Sequence, residues 1–122
     1  METISHQFDQ ALKRLGGDEE LFYDLATYFI EDSPDLVRAI HAGLAAARVQ
    51  EVQRAAHTLR GLAANFDAEP AMTLAGAIEQ MAAKGDWRSV PATLAHLESE
   101  VQHLRTVLEG YQARTNGPVA RN

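Results

Sequence analysis

His57 is the residue in this 122-residue chain best placed to do chemistry. Around it, Val52, Ala55, Leu59, Leu62 and Phe66 recur at alternating gaps of three and four, the spacing of one buried helical face. At about 100° per residue that stripe lies about 180° around the helix from His57, so the imidazole points to solvent. A neutral imidazole carries a free nitrogen lone pair that can attack an electrophile. Arg60 and Gly61, three and four residues on, sit beside His57 one turn later. Arg60 supplies a planar cationic fork suited to phosphoryl oxygens. Gly61 is costly, since glycine inside a helix loses about 1 kcal/mol relative to alanine and no turn or cap calls for it here. Ala64 and Ala68 continue the same line, and Asn65 flanks it. A helix face meant only for water carries Lys, Glu and Gln; a row of small residues instead leaves a flat patch that another surface can reach. Together these residues describe a place where a phosphoryl group could be received from a partner.

The helix that carries His57 must itself be held, and the apolar spacing indicates how. Ile4, Phe8, Leu12 and Leu15 recur every three or four residues before Gly16-Gly17 stops a first short helix. Asp18 is a good N-cap for a second helix, with Glu19 and Glu20 in its first turn. Phe22, Leu25 and Phe29 form its stripe. Pro34 is expected to end or kink that helix, yet Leu36, Ile40 and Leu44 resume the stripe with a phase shift of only about 20°. The kept phase favours one long kinked helix; Ser33 as N-cap with Pro34 at the first helical position is the competing reading. Past Phe66, Asp67, Glu69 and Pro70 mark a break and a new start. Ala71, Leu74, Ile78 and Met81 line a fourth helix that Lys84-Gly85-Asp86 closes. Val90, Leu94, Leu97, Val101, Leu104, Leu108 and Tyr111 line the last, and residues 113–122, with Asn116-Gly117-Pro118, read as a disordered tail. The expected fold is all-α: an antiparallel four-helix bundle over residues 1–112, with the short N-terminal helix capping one end.

Composition narrows the function. At 46% hydrophobic and 23% charged residues the chain folds around a single modest core. The absence of cysteine excludes disulfides, thiolate metal sites and cysteine nucleophiles. Eleven Lys and Arg against seventeen Asp and Glu give a net charge of −6, the wrong balance for a nucleic-acid binder. No apolar run approaches a membrane span and the N-terminus lacks a signal pattern, so a cytoplasmic domain without a membrane association is expected. With no phosphate-cradling glycine-rich loop, nothing is expected to bind ATP and phosphorylate His57 in cis.

The stretch Ala55-Ala56-His57-Thr58-Leu59-Arg60-Gly61-Leu62-Ala63-Ala64-Asn65-Phe66 resembles the signature of histidine-containing phosphotransfer (HPt) domains. That signature runs Ala-His-x-Leu-Lys/Arg-Gly, then four residues, a hydrophobic residue and a glycine. Ile78-Glu79 and Gly85-Asp86 stand at the family's distances further on, and Phe29 to Pro34 is similar to its upstream Phe-x-x-x-x-Pro. The resemblance covers about residues 18 to 112. It implies that His57 is a phosphoacceptor whose Nε2 takes a phosphoryl group from the aspartyl phosphate of a response-regulator receiver domain, or from a hybrid histidine kinase, and returns it to another receiver. It implies that Arg60 steadies the phosphoryl group, that Gly61 admits the receiver, and that Glu79 accepts a hydrogen bond from Nδ1–H. Asn65 falls on a commonly polar position. No cofactor is implied in the chain itself, Mg²⁺ being expected only in the partner receiver domain. Asp67 stands where the family usually has glycine, placing an extra negative charge near the transfer surface.

The remaining features are read conservatively. Glu100-Val101-Gln102-His103 has the spacing of a di-iron carboxylate motif, but such a site needs a second copy and two further glutamates, so no metal is expected. His6, His41 and His96 lack partners at ligand spacing. The heptads of the last helix suit the bundle's own core better than a coiled-coil dimer, so a monomer is expected. Trp87 is expected to pack one end of the bundle. The alternative function is a non-phosphorylated interaction module that docks on a receiver or kinase and regulates it sterically.

Overall fold

The computed structural model describes residues 8–115. Among these residues five α-helices follow one another: α1 (Asp9–Arg14), α2 (Glu19–Ala45), α3 (Val49–Ala64), α4 (Glu69–Lys84) and, after a 3₁₀ turn at Trp87–Ser89, α5 (Val90–Thr115). The described residues contain no strand. Ile4 and the residues from Asn116 onward lie outside the described residues. Ala113, Arg114 and Thr115, expected in the tail, instead continue α5.

Helix ends follow the local chemistry. The Asp18 carboxylate accepts from the Leu21 N–H at 3.0 Å and starts α2. Gly16, Gly17 and Gly85 adopt the left-handed conformation (φ +69°, +79° and +73°) that ends α1 and α4. Pro70 sits in the first turn of α4, where its missing N–H costs nothing.

α2 runs without interruption through Pro34, so Ser33 is not an N-cap; it lies inside the helix, fully buried. Proline removes the N–H that would bond to the Ile30 carbonyl. Arg105 of α5 supplies a replacement donor, its Nε standing 3.3 Å from that oxygen. The tertiary contact thus satisfies the group that proline leaves open.

α2 to α5 form a ring in which each packs mainly on its two neighbours. Successive contacts run in opposite directions: Ile30 meets Arg105 while Tyr23 meets Gln112, and His57 meets Glu79 while Arg60 lies across Gly76. The neighbours are therefore antiparallel, as the short connections require. All seven apolar positions expected on α5 are buried. On α3 and α4 Val52, Leu59 and Ile78 are fully buried, and alanines fill much of the rest. Ala55, Ala56, Ala63, Ala71, Ala75 and Ala82 are buried, whereas Leu62, Leu74 and Met81 are half-buried. Phe8, Phe22, Phe29, Phe66 and Tyr111 close one end with tilted and edge-on ring contacts; Phe22 and Tyr111 are 5.0 Å apart between centroids. Trp87 packs partly against the core.

Gly43 is a packing glycine. A Cβ there would stand 2.7 Å from Cγ2 of Val52, a stiff and fully buried side chain where α2 turns into α3. Gly43→Ala should lower stability by roughly 1–3 kcal/mol in chemical denaturation, because overpacking outweighs the gain in helix propensity. Unchanged or raised stability would show that the α2–α3 contact can open at no cost.

Candidate functional site

His57 sits in the middle of α3, with 65% of its side chain exposed. Its Nδ1 is 3.0 Å from Oε2 of Glu79, a residue of α4 whose side chain is only 21% exposed. Arg60 completes a triangle. Its Nη2 lies 3.3 Å from Nδ1 and 3.6 Å from Oε1 of Glu79.

These distances decide the tautomer. A carboxylate only accepts, so Nδ1 must carry the proton for the Glu79 contact to be attractive. With the proton on Nδ1, the Arg60 guanidinium cannot donate to that nitrogen and instead acts on Glu79. Nε2 is left with a free lone pair, on the ring edge turned away from Glu79. The arrangement presents a nucleophilic nitrogen without needing a base to deprotonate it.

The approach to this nitrogen is clear. Gly61 is exposed, and a Cβ built on it would meet nothing within 4 Å. The fold therefore gives no internal reason for this glycine, in contrast to Gly43. Ala64 and Asn65 are half-buried at the end of α3, Asn65 serving as its C-cap. Ala68 is not brought to the same row. α3 ends at Ala64, a turn intervenes, and Ala68 precedes α4, lining a cleft with Phe66, Glu100 and His103 on the α5 side. The helical extrapolation over eleven residues fails because the helix is shorter than its apolar stripe.

Asp67 adopts φ +54°, the conformation that the family's glycine would supply. Its charge is met by Arg14 of α1, whose Nη1 contacts Oδ1 at 2.9 Å and Oδ2 at 3.0 Å. The Arg14 Nη2 also donates to the Ala64 carbonyl at 3.1 Å, capping the carbonyl end of α3. The expected extra negative charge is thus paired. Nothing in the periodicity of α1 signalled this contact, which depends on where its end packs. Among the described residues no group of three His, Asp or Glu could hold a metal ion, and no helix is long and apolar enough to cross a membrane.

An exposed histidine whose Nδ1 faces a carboxylate of the next helix can take a phosphoryl group on Nε2. The family model of the Hpt domain matches residues 24–107. The fold matches the crystal structure of histidine-containing phosphotransfer protein B (HptB) from Pseudomonas aeruginosa PAO1, with a TM-score of 0.81 and 26% identity. That match covers 89% of this chain and 96% of the other. Comparison with curated proteins gave no significant match. The chain belongs to the Hpt family: it is a histidine phosphotransfer protein of a phosphorelay, and the steric-regulator alternative is not favoured. Proteins of this family are phosphoryl carriers that work with receiver domains and kinases.

Two outcomes follow. Gly61→Ala should stabilise the fold by about 0.5–1 kcal/mol while slowing phosphotransfer, since only a docked partner meets the added methyl. Equal transfer rates would remove the clearance role. Glu79→Ala should let Arg60 donate to Nδ1 and move the proton to Nε2, a change that long-range ¹H–¹⁵N correlation of the His57 ring reads directly. An unmoved tautomer would mean that Glu79 does not set it.

Proposed function

We propose that His57 is the phosphoacceptor and that the chain shuttles phosphoryl groups between receiver domains as a cytoplasmic monomer. The observation that carries this reading is the 3.0 Å contact between Nδ1 and Glu79, which leaves Nε2 free at the surface. In the forward step the Nε2 lone pair attacks phosphorus of a receiver's aspartyl phosphate. The P–N bond forms, the P–O bond to the aspartyl carboxylate breaks, and the electron pair leaves on that carboxylate. The proton stays on Nδ1, so the phosphorylated ring is cationic and Glu79 faces the developing charge. No proton has to leave, which suits a transfer that must also run backwards to a second receiver.

Arg60 holds Glu79 and the ring in register and steadies charge beside them. Gly61, Ala64 and Asn65 form the clear ground on which the receiver rests. Mg²⁺ and the activated acyl phosphate belong to the receiver, so the chain contributes position more than catalysis. Incubation with a Mg²⁺-loaded phosphorylated receiver should leave an acid-labile, alkali-stable label on the wild-type chain and none on His57→Gln. A wild-type chain that stays unlabelled across its cognate receivers would falsify the reading.

A further inference from the structure

Arg60 is the cation that the sequence places beside His57, but its guanidinium is turned toward α4, in a 3.6 Å ion pair with Glu79. Arg60 also lies across Gly76 of α4 and reaches the Nδ1 side of the ring at 3.3 Å. The open depression at His57, about 360 Å³, lies on the other side along α3. It is lined by Gln50, Gln53, Arg54, His57 and Glu79, and Arg60 is not part of it. Arg54 is exposed, three residues before His57 and so on the same helical face. Arg14 and Arg48 are paired with Asp67 and Glu51, whereas Arg54 has no hydrogen bond or ion pair with any described residue.

We propose that Arg54 is the residue that contacts the phosphoryl group during transfer, while Arg60 positions the imidazole; this rests on the reading of His57 as phosphoacceptor. The depression holds one acid, Glu79, whose Oε2 is occupied by Nδ1–H. Its other polar groups, the amides of Gln50 and Gln53, are neutral and can donate. An incoming acyl phosphate brings at least one negative charge to a pocket whose free cation is Arg54. A guanidinium there can donate to two non-bridging oxygens while phosphorus passes from the acyl oxygen to Nε2. Arg54 makes and breaks no covalent bond, and the proton balance at His57 is unchanged. An unpaired cation at the rim of the site also speeds encounter with an anionic partner surface, an effect that salt weakens.

The test measures phosphoryl transfer from a Mg²⁺-loaded phosphorylated receiver to the full chain, as a function of receiver and salt concentration. Arg54→Ala should lower the second-order rate about tenfold, the scale of one charged hydrogen bond, and flatten its salt dependence. Arg54→Lys should recover most of the rate. Arg38→Ala removes a cation that is paired with Asp35 and lines the cleft between α2 and α5, and should match the wild type. The ¹⁵N shifts of the His57 ring should be unchanged in Arg54→Ala and disturbed in Arg60→Ala. A wild-type rate in Arg54→Ala, or a slow rate accompanied by shifted ring nitrogens, overturns the proposal. Failure of the underlying reading is distinct, since the wild type itself would then take no label.

Discussion

The register of α3 against α4 is the constraint on which the site depends. Both helices bury alanines beside Val52, Leu59 and Ile78, and such small side chains permit close approach of two backbones. A close, antiparallel contact leaves little freedom to slide, so it fixes which residue of α4 stands opposite His57. The residue it selects is Glu79, at hydrogen-bonding distance. Slippage by one residue would rotate that carboxylate by about 100° around α4 and leave the imidazole to choose its own tautomer. The buried alanines of α3 and α4 therefore belong to the packing that holds the site as well as to the composition of the chain.

The far end of α3 is held in a complementary way. Phe66 enters the aromatic cluster with Phe8, Phe22 and Phe29, and Arg14 binds both Asp67 and the carbonyl of Ala64. An exposed ion pair alone contributes little. Here the same guanidinium is also a second donor, beside the Asp67 N–H, to the Ala64 carbonyl, so α1 is tied to the end of the helix that presents His57. A carrier that must meet more than one receiver gains from a rigid presenting surface, because ordering it at each encounter would cost affinity.

Much of this was legible along the chain. The helices, their glycine and proline boundaries, the seven-residue stripe of α5 and the outward direction of His57 all follow from period and local capping. These are properties of one helix at a time. The departures involve two helices at once. The kept phase already favours a helix running through Pro34, but does not signal the donor that Arg105 of α5 supplies to the Ile30 carbonyl. Whether Asp67 burdens the surface depends on Arg14. Ala68 leaves the row because α3 ends before its apolar pattern does. The pairing of His57 with Glu79 was accessible only through the family's pattern, since no spacing within either helix encodes a register between them.

The same distinction separates the two arginines that flank His57 on its helical face. In sequence they are equivalent, one turn before and one turn after. In the structure α4 lies closer to one of them: Arg60 crosses Gly76 and is drawn to Glu79, while Arg54 faces the open depression. The net charge of −6 does not govern what an incoming phosphoryl group meets. Near physiological ionic strength the Debye length is about 8 Å, so distant acids are largely screened from a group arriving at Nε2. Glu79 remains close, but its charge is shared between Nδ1–H and Arg60. The field at His57 is set chiefly by a few atoms on two helices.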